Sequence, residues 1–210
     1  TSYSDYQNRF GTTFASGSDE FTFLTSIAAY NYFQNGGESL LVTRVASGSL
    51  GQGLSVAIGA SLAKKLNRDD KFVYVLMGDG ELQEGQVWEA ALFAAHHKVD
   101  NLIAVIDWNG QQIDGPNDKV ISLGDLQAKW ESFGWRVYNM DGHDFENILN
   151  TMEEVQSNAG QFIPQIILMK TVMGKGVDFM EGTHHWHGKA PNAEQTELAL
   201  SQLEETLGDY

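Results

Sequence analysis

Short apolar runs separated by helical stretches do most to limit what this chain can fold into. "KFVYVLM" at 71–77 and "NLIAVIDW" at 101–108 are β-rich and apolar enough to be buried strands. "WRVYNM" at 135–140 and "PQIILMKTV" at 164–172 extend the series. Between and before them, "LGQGLSVAIGASLAKKLN" at 50–67, "EGQVWEAALFAAHHK" at 84–98 and the stretches near 125–133 and 145–158 carry helical spacing. Strands alternating with helices at this interval are βαβ crossovers. The expectation is an α/β fold, a mostly parallel sheet with helices on both faces.

In such sheets ligands bind outside the carboxyl ends of the strands. Two loops with oxygen-bearing side chains stand at such ends. The first, "GDGELQEG" at 78–85, holds Asp79, Glu81 and Glu84 between glycines. The second opens at Asp107 and Asn109 and runs through a Gly/Asp/Pro-rich stretch at 110–118. Asp79 and Asn109 taken singly read as turn and cap residues. Together, at matching strand ends, they are hard oxygen ligands suited to Mg²⁺ or Ca²⁺. The helix opening near Glu84 directs its N-terminal dipole towards an anion on that side.

Composition narrows the partners. A formal net charge of −15 opposes nonspecific nucleic-acid binding, which needs clustered Lys and Arg. No run is long and apolar enough to span a bilayer and no signal-like start is present, so no membrane partner and a cytoplasmic location are expected. Cysteine is absent, which removes thiolate metal sites and disulfides. "THHWH" at 183–187 has no spacing that fixes a zinc geometry. Trp88, Leu92 and Phe93 read as core or interface packing, and His96 and His97 as helix-end residues.

Residues 1–47 differ in character, rich in Ser, Thr, Phe and Tyr, with "TSIAAYNYFQNGG" reading as a helix closed by glycine and "SLLVTRV" as a strand. The shift near Ser47 sets an atypical N-terminal segment, 1–47, apart from a domain at 48–210.

The motifs also carry a resemblance. "GSLGQGLSVAIGASLA", "GDGELQEGQVWEAALFAAHHKVDNLIAVIDWNGQQIDG", "FGWRVYNMDGHD", "KTVMGKGVDFME" and "WHGKAP" occur in that order, and residues 48–207 resemble the N-terminal, thiamine-diphosphate-binding subunit of a two-chain transketolase. The resemblance implies that Asp79, Asn109 and the backbone carbonyl of Gln111 coordinate Mg²⁺, which holds the diphosphate of thiamine diphosphate. It places Gly80 against that diphosphate, Gly48 and Leu50 on the aminopyrimidine side, and Ile113 near the thiazolium. Glu84 matches a glutamate of the carboxylate network between the two active sites of a dimer. His187 matches a histidine near the diphosphate and the reacting end of the donor sugar, with Lys189 a weaker candidate beside it. Glu81 is left with solvation or local turn bonding.

The activity so implied is two-carbon ketol transfer between sugar phosphates, with a C-terminal transketolase-like subunit supplying the glutamate that activates the aminopyrimidine, in a dimer or heterotetramer. A deoxyxylulose-phosphate synthase is disfavoured by "WHGKAP" and "GELQEG". The chain has no histidine before His96, so the Gly-His-Ala-like and Gly-His-Pro motifs of that family are expected to be missing. In their place, residues 1–49, notably "YFQNGGESLLVTRV", resemble part of a contractile phage tail sheath protein. That resemblance implies the competing reading, a structural or assembly protein with an inactive transketolase-like portion.

Overall fold

The computed structural model describes residues 50–203 and, nearer the N-terminus, the backbone of two short strands. The chain divides into two compact units, Thr1–Arg44 and Val45–Tyr210. In the first, β1 (Thr13–Ser16) pairs antiparallel with β2 (Asp19–Thr22), Thr13 opposite Thr22 and Ser16 opposite Asp19. The helix and strand expected between residues 25 and 45, Gly48 and the composition shift at Ser47 all lie outside the described residues.

In the second unit the order is α1 (Gln52–Leu66), β3 (Val73–Gly78), a 3₁₀ turn (Gly80–Gln83), α2 (Gly85–His96) and β4 (Leu102–Trp108). A small hairpin follows, β5 (Gln111–Gln112) and β6 (Gly115–Pro116), with the short α3 (Asn117–Val120) behind it. Then come α4 (Leu126–Ser132), β7 (Arg136–Asp141), α5 (Phe145–Ser157), β8 (Gln165–Lys170), a 3₁₀ turn (His184–Trp186) and α6 (Ala193–Gln202). The four long strands form one parallel sheet in the order β3, β4, β8, β7.

Alternation along the central strands assigns each face its own core. Leu102, Ala104 and Ile106 of β4, with Ile166 and Leu168 of β8, pack against Leu54 and Ile58 of α1, Val87 and Ala91 of α2, and Trp130 of α4. Ile103 and Ile167 point the other way, onto Val155 of α5, Tyr138 and Met140. Strand residues one apart thus enter different cores, which is why these runs are apolar throughout.

Two features depart from the pattern read in the sequence. The stretch at 110–118, expected as a loop, holds the β5–β6 hairpin and the start of α3. α6 gives no apolar signal because it buries no residue; it is held by a reciprocal capping box between Asn192 and Gln195. Among the described residues no helix is long and apolar enough to cross a membrane.

Candidate functional site

The carboxyl end of β3 delivers Asp79 to a buried position, 1% exposed, where both of its oxygens are bound. Oδ1 accepts from the N–H of Gly80 at 2.7 Å, which caps the 3₁₀ turn, and Oδ2 accepts from the N–H of Gly110 at 2.6 Å. The side chain therefore joins the loop after β3 to the loop after β4. Burial pushes the Asp79 carboxyl above the ordinary carboxylate value, and the neighbouring Asp107 charge adds to this; the Asn117 amide and the Gly110 and Gly80 N–H groups oppose it without cancelling it. Such a group is a poor resting anion. A cation beside it removes the cost.

Asn109 lies next to this junction, its Oδ1 accepting from the N–H of Gln111 at 2.9 Å and so shaping the entry into the hairpin. Gln111 pairs with Pro116 across the hairpin, and its Oε1 is buried without a hydrogen-bond partner. Gly80 is packed hard against the same hairpin: a Cβ there would lie 2.9 Å from Gln112 Cβ. The glycine thus serves the protein's own packing, whatever it does for a ligand. Asn117 Nδ2 is a second buried orphan of this region. A carboxylate, an amide oxygen and backbone carbonyls on converging loops, together with spare buried donors and acceptors, fit a hard cation carrying an oxyanion.

Glu81, expected to do no more than stay solvated or bond locally, spans two segments. Its Oε1 accepts from the N–H of Gly51 at 2.7 Å and its Oε2 from that of Gly78 at 3.2 Å. The turn bond to Gly78 is local; the bond to Gly51 crosses thirty residues of chain and ties the start of α1 to the end of β3. Gly51 stands at φ +82°, and a Cβ on it would come within 2.8 Å of Glu84 Cβ. Glycine is required there on both counts.

Glu84 is the N-cap of α2, exposed, with no side-chain capping bond. Leu50 is 56% exposed beside it, its carbonyl accepting from Gln86 Nε2 at 3.1 Å. Trp88 enters the core edge against Trp130 and Phe133 and donates from its indole to the Leu82 carbonyl at 2.8 Å, supporting the turn that follows Asp79. Leu92 and Phe93, in contrast, stay 58% and 45% exposed.

The "WHG" segment comes back to the hairpin tip. Ile113, 67% exposed, has its Cδ1 3.6 Å from where a Cβ on Gly188, the residue after His187, would sit. His187 is exposed, its N–H bonded to the His184 carbonyl, and the turn is anchored by Trp186 Nε1 donating to the Phe179 carbonyl at 2.9 Å. Lys189 Nζ lies 5.0 Å from the centre of the Trp186 ring. Among the described residues no three His, Cys, Asp or Glu side chains gather to hold a metal.

Sequence reasoning brings Asp79, Asn109, Gln111, Gly80 and Ile113 forward, and the fold gathers them at one end of the sheet. It misses the reach of Glu81, the buried Asn117, and Thr171, whose hydroxyl at the end of β8 donates to Asp107 Oδ1. The sequence gives no signal for Thr171, because the apolar run at 164–172 reads it as part of the strand, which in the structure ends at Lys170.

The chain is similar to proteins of one family. The family model described as "Transketolase, thiamine diphosphate binding domain" matches residues 37–207, beginning inside the segment that composition sets apart. An apulose-4-phosphate transketolase subunit from Phocaeicola vulgatus is 41% identical over 163 residues, 78% of this chain and 57% of that protein. A 6-deoxy-6-sulfo-D-fructose transketolase subunit from a Clostridium species is 40% identical over 158 residues, 75% of this chain and 57% of its own length. The chain thus spans a little over half of these curated relatives. Among solved structures, the transketolase of Campylobacter jejuni superposes with a TM-score of 0.68 at 33% identity, over 75% of this chain and 26% of that one.

Proposed function

From the premise that the chain belongs to the transketolase thiamine-diphosphate-binding family, we propose that it is the diphosphate-side half of a two-chain transketolase. It binds thiamine diphosphate through Mg²⁺ and works on sugar phosphates with a partner chain. The observation that carries the reading is Asp79, buried with a raised pKa at the point where the loops after β3 and β4 meet.

Asp79, the Asn109 side chain and the Gln111 carbonyl would hold Mg²⁺, with Gly80 and the surrounding N–H groups facing the diphosphate. When bound, the cofactor supplies a nucleophilic thiazolium carbon able to cleave and transfer a two-carbon unit. The chain itself orients and shields. Ile113, apolar and exposed at the hairpin tip, would offer the thiazolium ring a surface that excludes water. Leu50 and Gly48 would face the aminopyrimidine side. His187, one residue before the Gly188 that meets Ile113, would exchange a proton with the donor sugar's oxygen, assisted by Lys189.

Support for a partner comes from the relatives, whose names make them subunits of transketolases, and from what the chain leaves open. Glu84 is an exposed acid at the end of α2, and an open groove of about 440 Å³ between α1 and α2 is lined by Ile58, Leu62, Ala90 and Phe93. A dimer or heterotetramer would cover this face and bring Glu84 into a carboxylate network, while the partner chain would supply the glutamate that activates the aminopyrimidine. The sheath-like reading of residues 1–49, and the assembly role it implies, rests on sequence alone.

Calorimetry with thiamine diphosphate and Mg²⁺, on the chain with and without a C-terminal transketolase-like subunit, tests the proposal. Binding that Asp79→Ala abolishes supports it. An absence of binding in both settings removes the enzyme reading, and tubes or rings formed through residues 1–47 would favour the structural one.

A further inference from the structure

Asn109 stands directly before Gly110 in "DWNG", where the chain leaves β4. The Gly110 N–H donates to Asp79 Oδ2 at 2.6 Å. The Asn109 side-chain carbonyl, Oδ1, accepts from the Gln111 N–H at 2.9 Å, while among the described residues nothing bonds its Nδ2. Gly110 takes φ +76°, and no atom lies within 4 Å of where a Cβ on it would sit. Its carbonyl is held by the Asn117 N–H at 2.9 Å. Both residues are half-buried, so water reaches them.

We propose that Asn109–Gly110 is a site of self-modification, at which the folded chain closes the Asn109 carboxamide onto the Gly110 nitrogen and converts it to an aspartyl or isoaspartyl residue. Each part of that reaction has its group in place. The nucleophile is the Gly110 nitrogen, and Asp79 lies within hydrogen-bond reach of the proton it must lose. The electrophile is Asn109 Cγ, whose oxygen is met by a backbone donor as it gains charge. The leaving group is Nδ2, which no bond holds back. Nucleophile and electrophile are neighbours in one chain, so the step is intramolecular, and glycine presents no side chain to hinder it.

The atoms balance without oxidant or reductant. The bond between Gly110 N and Asn109 Cγ forms, the Cγ–Nδ2 bond breaks, and the proton passes through Asp79 to the departing amide, which leaves as ammonia. A water then opens the cyclic imide. Cleavage of the new bond gives the aspartyl form; cleavage of the old peptide bond leaves the main chain running through Cβ, the isoaspartyl form. That second product lengthens the backbone just ahead of the Gln111 carbonyl and moves the side-chain oxygen, so it would lose the metal. This consequence rests on the reading of Asn109 and Gln111 as ligands, whereas the modification does not.

The test follows position 109 by peptide mass mapping and an isoaspartate assay while the protein stands at neutral pH and physiological temperature. Folded wild type is compared with wild type unfolded in guanidinium and with Asp79→Asn, which keeps the shape and loses the charge. Asn35–Gly36, the other Asn–Gly pair of the sequence, serves in the unfolded chain as the reference for what sequence alone gives. Folded wild type should convert position 109 at least about tenfold faster than the unfolded chain, and Asp79→Asn at least about tenfold more slowly than folded wild type. Melting curves show whether the variant folds; if it does not, the first comparison decides. Folded wild type that converts no faster than the unfolded chain overturns the proposal, as does a folded Asp79→Asn that keeps pace with wild type. Calorimetry with Mg²⁺, thiamine diphosphate and the partner subunit then compares fresh and aged wild type. Aged protein rich in isoaspartate that binds as tightly as fresh overturns the loss of the metal, and fresh protein that binds nothing overturns the proposed function while the mass result stands.

Discussion

Glu81 accepts the N–H of Gly51 at 2.7 Å, so one carboxylate clamps the first turn of α1 to the loop that carries Asp79. Gly51 is buried, and loss of that oxygen would strand its N–H away from water. Glu81→Ala is expected to cost about 2 kcal/mol and to lower the melting temperature by on the order of 5 °C. Glu81→Gln, which keeps one acceptor oxygen, should lose roughly half as much. Thermal denaturation checks both, and unchanged melting in Glu81→Ala would show the clamp to be idle.

Gly80 and Gln112 pack so closely that an added methyl must push the hairpin away. Gly80→Ala should destabilise by about 1–3 kcal/mol and weaken thiamine diphosphate binding, since Ile113 travels with the hairpin. Pairing it with Gln112→Gly removes the colliding Cβ. The double variant should recover part of the stability lost, a non-additivity read from a denaturant cycle; strict additivity would place the strain elsewhere.

Two buried aspartates should tilt the pH profile in opposite directions. Asp79 has a raised folded pKa, so its contribution to stability is complete below about 3.9 and is lost as pH rises through the folded value. For Asp100, burial raises the pKa but the Lys65 ammonium and the Phe162 N–H outweigh it, leaving the net value below normal; its contribution is present above about 3.9 and lost as pH falls through the depressed value. Ligand-free wild type should therefore lose stability relative to Asp79→Ala as pH rises above the ordinary carboxylate value of about 3.9. Mg²⁺ with thiamine diphosphate should reverse that slope, because the cation replaces the proton. Melting curves across pH, with and without ligand, give the answer.

Lys65 pairs with Asp100 and also donates to the Lys98 carbonyl at 2.8 Å. Lys65→Met leaves the Asp100 carboxylate, 5% exposed, with the Phe162 N–H as its remaining hydrogen-bond donor across the chain. A loss of about 1–3 kcal/mol is expected, with cofactor affinity unchanged because the pair lies at the opposite, amino-terminal end of the strands. Stability equal to wild type in chemical denaturation would mean that solvent at the half-exposed lysine already screens the pair.

The parallel sheet was legible because its strands are apolar on both faces and its helices keep their spacing; Ile103 and Ala104 need burial in opposite directions, and the sequence says so. Asp79 and Asn109 were legible for a different reason, standing just beyond strand ends. Glu81 was not: its partner Gly51 is remote in sequence and offers only a backbone N–H, which leaves no trace in residue type. Asn117 hid in a turn-like "GPN", where an asparagine ordinarily needs no buried purpose. The hairpin at 111–116 hid for want of length, since two-residue strands have no periodicity to read.

Trp88 adds something beyond packing. Its indole N–H is bonded to the Leu82 carbonyl inside the turn that begins at Gly80, so any ligand that shifts this turn changes the surroundings of a chromophore. The protein carries its own optical gauge of the loop after β3, and changes in tryptophan emission can follow occupation of the site in real time without a label.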